Sequence, residues 1–192
     1  MATLNRRESD DALIAACRKG DRSALAALYQ AQKDRVYSMA LHYFHGDAAA
    51  AADITQHVFL KLITDIGQFR GDAAFTTWFF RLVVNTCIDA SRRRKPAVPV
   101  TEIHLAASKG SPSAELEQKQ LAEAVQSAVT DLPEPFRMAV LLRHFQDLSY
   151  EEMADVLGCS PGTVASRLSR AHRMLAQKLS PVRGWFQTKD KE

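Results

Sequence analysis

The stretch Leu148–Leu175, LSYEEMADVLGCSPGTVASRLSRAHRML, constrains the fold of this chain more than any other. It reads as two short helices joined by a tight turn. Ser149 and Glu152 have the spacing of a capping box, in which the hydroxyl accepts from the third amide and the carboxylate reaches back to the cap. Met153, Val156 and Leu157 then fall on one helical face. Gly158 stops the helix where a positive φ is easiest. Ser160-Pro161 starts the next one, cap first and proline at its first position. In that second helix Val164, Leu168, Ala171 and Leu175 share a narrow apolar arc, while Ser166, Arg167, Arg170 and Arg173 occupy the opposite one. One face packs and the other points at something negative. So short a turn makes the helices cross sharply, which is a helix-turn-helix. Its fitting partner is DNA, with the second helix in the major groove.

Charge sharpens that reading. An amphipathic helix with outward arginines is often only a solvated helix. Here residues 161–192 carry net +5 against +3 for the whole chain, so the first 160 residues are slightly acidic. A basic segment on an acidic body suggests a local nucleic-acid footprint.

Other classes find little support. The 192 residues admit one medium domain or two small ones. No apolar run is long enough to span a bilayer. The opening MATLNRRESDDALI lacks the apolar core of a signal peptide, so a cytoplasmic location is expected. Cys17, Cys87 and Cys159 lie far apart with no CxxC, which favours buried thiols over disulfides or zinc. His42, His45 and His57 have no adjacent ligand cluster, so no metal or cofactor is expected. Neither clustered carboxylates nor a glycine-rich phosphate loop supports catalysis, and no catalytic residue is assigned.

Helix signals recur along the chain and strand signals are nearly absent. Ser9, with Asp10 and Asp11 in the first turn, opens a helix ending near Gly20. Asp21 opens a long one with Leu25, Leu28, Tyr29, Val36, Met39 and Tyr43 inward. The alanine run Ala48–Ala52 leads into a third, stopping at Gly67, with Ile54, Val58, Phe59, Leu62 and Ile66 at core spacing. After the loop Gln68–Asp72, a fourth helix runs from about Ala74 to Arg94. Phe75, Phe79, Leu82, Val83 and Thr86 form its apolar arc, and Arg81, Asn85, Asp89 and Arg92 a narrow polar stripe. Trp78 lies on that stripe, either to stack on an unpaired base beside phosphate contacts or to pack on another helix.

Pro96, Pro99, Gly110 and Pro112 mark Lys95–Pro112 as an extended linker. A helix follows with Leu116, Leu121, Val125, Val129 and Leu132 inward. Pro133-Glu134-Pro135 punctuates, and another helix spans about Phe136–Phe145. The expected fold is all-α: two small helical domains joined by a flexible linker, the second containing the helix-turn-helix.

With that layout the chain resembles the extracytoplasmic-function (ECF) group of the sigma-70 family, the promoter-recognition subunits of bacterial RNA polymerase. The resemblance covers about Leu13–Gln177. It rests on DITQHVFLKL (Asp53–Leu62), FRGDAAFTTWFFRLVVNTCID (Phe69–Asp89), LPEPFRMAVLL (Leu132–Leu142) and the helix-turn-helix, in that order across the linker. It implies a region 2 domain over residues 1–95, a linker over 96–112, a region 4 domain over 113–180 and a tail over 181–192. It implies core polymerase binding by Asp53, Gln56, Val58, Phe59 and Leu62, on the clamp helices of the largest subunit. The flap of the second-largest subunit is a further implied partner. It implies recognition and melting of the −10 element, with a flipped-out base, by Phe69, Arg70, Asp72, Trp78, Arg81, Asn85, Asp89, Arg92 and Arg93. It implies −35 readout by Thr163, Ser166, Arg167, Ser169, Arg170 and Arg173. Promoter DNA and an anti-sigma factor are implied partners, the latter clamping a compact form with the two domains packed together. Val58, Phe59 and Leu62 then form either a solvent-facing docking patch or simply domain core. Ala165 stands where relatives often carry a basic residue and His172 where arginine is common; Trp185 and Phe186 match nothing. A stand-alone helix-turn-helix regulator is the alternative reading, and explains only the C-terminal half.

Overall fold

The computed structural model describes residues 11–72, 74–93 and 112–182. Among these, all regular structure is helical, as eight α-helices and two 3-10 turns. The Ser9 cap, most of the linker and the Trp185-Phe186 tail lie outside the described residues.

Helix α1 occupies residues 11–18, and α2 spans Arg22–Tyr43. Asp21 caps α2, its carboxylate accepting from the amides of Ser23 at 2.8 Å and Ala24 at 3.1 Å. Such a cap satisfies amides that the first turn leaves without partners. Helix α3 spans Ala48–Asp65, capped by Asp47, and continues into a 3-10 turn at Ile66–Gln68. Helix α4 spans Phe75–Arg93. These four pack around Leu28, Val36, Met39, Val58, Leu62, Phe79, Phe80 and Val83, none more than 2% exposed.

Helix α5 spans Pro112–Thr130, α6 Glu134–Gln146, α7 Tyr150–Leu157 and α8 Pro161–Lys178. Helix α6 starts two residues before the Phe136 expected from the sequence. Pro135 falls in its first turn, where the amide that proline lacks would have had no helical partner. The capping box at α7 is complete: the Glu152 amide donates to Ser149 Oγ at 3.1 Å and the Ser149 amide to Glu152 Oε2 at 2.8 Å. Gly158 ends α7 at φ +61, and Ser160 caps α8 through the Thr163 amide at 3.1 Å. Met153, Val164, Leu168 and Ala171 close the core of this second group with Leu141 and Leu142.

The two groups pack together, α6 against α2 and α7 against α4. Three arginines bridge them. Arg35 Nε donates to Gln146 Oε1 at 2.9 Å. Arg81 donates to the Asp155 carbonyl. Arg137, 8% exposed, donates from Nη1 to the Tyr43 carbonyl at 3.2 Å.

Two expectations are corrected. Tyr29, expected inward, is 41% exposed and meets Phe59 in a T-shaped contact, the centroids 4.7 Å apart. Val58, Phe59 and Leu62 are not a solvent-facing patch: they are 0%, 6% and 1% exposed. The 100° step per residue turns all three toward α2 and α4, and leaves Leu60 at 62% and Ile63 at 54% exposure on the outer face.

Candidate nucleic-acid interface

Three surfaces carry the side chains singled out from the sequence. The first is the outer face of α3, where Asp53, Gln56, Leu60 and Ile63 are all exposed. Asp53 holds His57 one turn on, with His57 Nδ1 2.9 Å from the Asp53 carbonyl and 3.3 Å from its Oδ1. Leu60 and Ile63 lie outside the residues expected to dock, yet they are the large exposed apolar side chains of this helix. Their spacing from buried Phe59 and Leu62 carries the signal, because residues one step past a core position emerge at its edge.

The second surface runs from the α3–α4 loop along α4. Phe69, Phe75 and Trp78 form an aromatic cluster, with centroids 5.4 Å apart for Phe69–Trp78, 5.7 Å for Phe69–Phe75 and 5.9 Å for Phe75–Trp78. Trp78 is half-buried, so it packs the loop onto α4 and does not stand alone on the stripe. The loop also frames a cavity of about 440 Å³ with α1, lined by Asp11, Ile14, Ala15, Arg18, Phe69, Gly71, Asp72, Ala74 and Phe75. Gly71, at φ +84, gives the loop its bend. Asn85 is not among the lining residues. The structure therefore separates what the sequence had grouped: Phe69 and Asp72 face a cavity, while Arg81, Asn85 and Arg92 are exposed along α4 and Asp89 is partly exposed. Arg70 and Arg93 are exposed at the two ends of this surface.

The third surface is the outer face of α8. Ser166, Ser169, Arg170 and Arg173 are exposed; Thr163 and Arg167 are half-buried. Ser166 Oγ donates to the Thr163 carbonyl at 2.9 Å, and Thr163 Oγ1 lies 3.0 Å from Ser160 Oγ. Arg167 turns back toward the inter-helix turn, its Nη1 3.9 Å from Cys159 Sγ, so it differs in setting from Arg170 and Arg173. His172 meets His144 of α6 with the two Nε2 atoms 3.3 Å apart. Burial pushes the Cys87 thiol up to about 12 and raises Cys17 as well. Among the described residues no cluster of three or more metal-ligating side chains occurs, and no helix is long and apolar enough to cross a membrane.

A helix-turn-helix with a cationic outer face, packed on a second helical group bearing an aromatic loop and a polar stripe, marks an all-helical DNA-binding protein. Residues 28–96 match the family model for sigma-70 region 2 and residues 122–175 that for sigma-70 region 4. The chain is 33% identical to the RNA polymerase sigma-H factor of Pseudomonas aeruginosa over 186 residues, covering 91% of this chain and 96% of that one. It is equally 33% identical, over the same shares, to the ECF RNA polymerase sigma-E factor of Escherichia coli K12. The fold matches that of the sigma factor RpoE in complex with the anti-sigma factor NepR from Bartonella quintana. That match has a TM-score of 0.68 at 21% identity, over 81% of this chain and 96% of that one.

The chain belongs to the sigma-70 family, in its extracytoplasmic-function group. It is an alternative sigma factor, acting with core RNA polymerase in promoter-specific initiation. A stand-alone helix-turn-helix regulator would leave the region 2 match over residues 28–96 without a role.

Proposed function

We propose that the three surfaces divide the work of initiation. The outer face of α3 docks on the clamp helices of the largest polymerase subunit, through Asp53 and Gln56 with Leu60 and Ile63 on the turns that follow. Val58, Phe59 and Leu62 serve this surface from beneath, by fixing α3 on the core. The cavity between α1 and the Phe69–Asp72 loop takes the flipped-out base of the −10 element. It is large enough for a nucleobase and bounded by aromatic rings that suit stacking. Arg81, Asn85, Asp89, Arg92 and Arg93 track the adjoining DNA, with Arg70 beside the loop. Helix α8 enters the major groove of the −35 element, with Ser166, Ser169, Arg170 and Arg173 outward and Thr163 and Arg167 at its edge. Residues 1–95 and 113–180 are then the two functional units. The second also meets the flap of the second-largest subunit, and an anti-sigma factor holds the packed form. The protein works in the cytoplasm, where the polymerase is.

The observation that carries this reading is the pairing, in one chain, of an exposed α3 face with an aromatic loop beside a polar α4 stripe and a cationic α8 face. The deciding experiment is run-off transcription with core polymerase, with sequencing of the 5′ ends. Defined start sites preceded by two shared elements are expected. Output equal to that of core enzyme alone would refute it.

A further inference from the structure

The seam between the two helical groups contains two histidines, His42 and His45, that lie outside the three surfaces described above. His45 lies in the α2–α3 turn at φ +58. Arg137 Nη1 reaches across from α6 to within 2.6 Å of His45 Nε2 and 3.3 Å of its Nδ1, which sets the guanidinium over the imidazole ring. A guanidinium is a fixed cation with donors only, so it suits the face of a neutral ring. An imidazolium there would set cation against cation, beside a guanidinium that is 8% exposed.

His42 is also 8% exposed, and its ring centroid sits 4.4 Å from that of Phe145 on α6. Its Nδ1 is 2.7 Å from the Ser38 carbonyl, which can only accept. Nδ1 thus holds the proton of the neutral ring, and Nε2 is the atom that would take a second. A charge added there would be buried against an aromatic ring.

The surrounding charges do not reverse this. Asp131, in the α5–α6 turn, favours a charged His45, but it is already paired with Lys178 at 2.7 Å. Glu134, at the start of α6, acts on Arg137 and on Tyr43. At the other end of α6, Asp147 acts on Arg35 and on His144, and Arg143 and His172 act on His144.

We propose that His42 and His45 form a proton-controlled latch: neutral, they hold α6–α8 against α2, and their protonation releases the seam and frees Arg81 from the Asp155 carbonyl. Burial holds both imidazoles below the ordinary value of 6.5, and Arg137 lowers His45 further. The closed form therefore binds fewer protons than the open one. The latch is at full strength above 6.5 and is lost as pH falls from there through the lowered values. Each histidine can change the open-to-closed ratio by up to about tenfold per pH unit.

The test is resonance energy transfer across the seam in the full chain. Dyes go on Ala52→Cys of α3 and Gln177→Cys of α8, both exposed positions, in a Cys159→Ser background. Below about pH 6.5 the dye separation should lengthen while helical circular dichroism stays constant. His42→Gln and His45→Gln, which cannot charge, should each flatten that response. Because glutamine could itself loosen the seam, the unsubstituted imidazoles are also titrated by NMR, and should titrate below 6.5 together with the opening. A constant distance down to pH 5.5, opening that coincides with loss of helicity, or imidazoles titrating at or above 6.5 would each overturn the latch. None of these readouts uses polymerase or promoter, so the result is independent of the functional assignment.

Discussion

Arg81, on the polar stripe of α4, donates from both Nε and Nη2 to the carbonyl oxygen of Asp155 on α7. A cation facing the last turn of a helix meets the negative end of its dipole, so the contact is favourable without any side-chain partner. It also occupies a side chain that the promoter reading needs. Packed domains and a free −10 stripe are therefore alternatives. Arg81→Ala should speed amide exchange at the seam faces of α7 and α4, and also weaken promoter opening by the holoenzyme. Exchange unchanged from that of the parent protein would show that the hydrogen bonds contribute nothing to closure.

On α3, exposure separates docking from folding. Leu62→Ala should destabilise the protein by about 2–5 kcal/mol, because a side chain 1% exposed leaves a cavity. Leu60→Ala and Ile63→Ala should each change stability by less than about 0.5 kcal/mol, yet the pair should weaken binding to core polymerase. Thermal melts and a core-binding titration check both halves. A Leu60/Ile63 double variant that binds core normally would move the docking face elsewhere.

On α8, Arg170→Ala and Arg173→Ala should each cost about 1–3 kcal/mol in promoter affinity while leaving the melting temperature unchanged. Arg167→Ala should act on both quantities, since its guanidinium packs beside Cys159 in the turn. Holoenzyme binding to a −35-bearing duplex and a calorimetric melt distinguish the two patterns.

Asn85 and the loop cavity should separate on templates of different state. Asn85→Ala should impair opening of a duplex promoter, and a pre-melted template should restore most activity, since Asn85 does not line the cavity. Phe69→Ala should remain defective on both. Permanganate footprinting on the two templates reads the difference. Equal rescue of both variants would return base capture to the α4 stripe.

Thiol chemistry reports on packing. Cys17 and Cys87 are 1% and 0% exposed, and burial raises both thiols, Cys87 to about 12. Iodoacetamide at pH 8 should therefore modify the folded protein once, at half-buried Cys159. Mass spectrometry of the alkylated chain counts the sites. Early modification of Cys87 would mean that α4 does not pack as described.

The turn between α7 and α8 is legible in the sequence because a few adjacent residues carry the whole cause. Ser149 with Glu152, Gly158 and Ser160-Pro161 define the turn between α7 and α8 because caps and positive φ are satisfied within one or two turns. Pro135 misled by two residues, because proline is a helix breaker in the interior but fits the first turn. Trp78 was undecidable, since its partners Phe69 and Phe75 meet it only once the loop folds onto α4.

By itself, then, the chain's sequence determined the helices, their caps, the apolar arcs and the cationic face of α8, all of which follow from periodicity and nearest neighbours along one helix. Only the tertiary structure decided which apolar residues of α3 stay in water, that the base-sized cavity includes α1 and not Asn85, and that Arg81, Arg35 and Arg137 join the two groups. Those outcomes depend on contacts between helices, from Phe59 with Phe79 to Arg35 with Gln146, 111 positions apart. In that range the angle at which two helices meet, and not the spacing within either one, selects the side chains that touch.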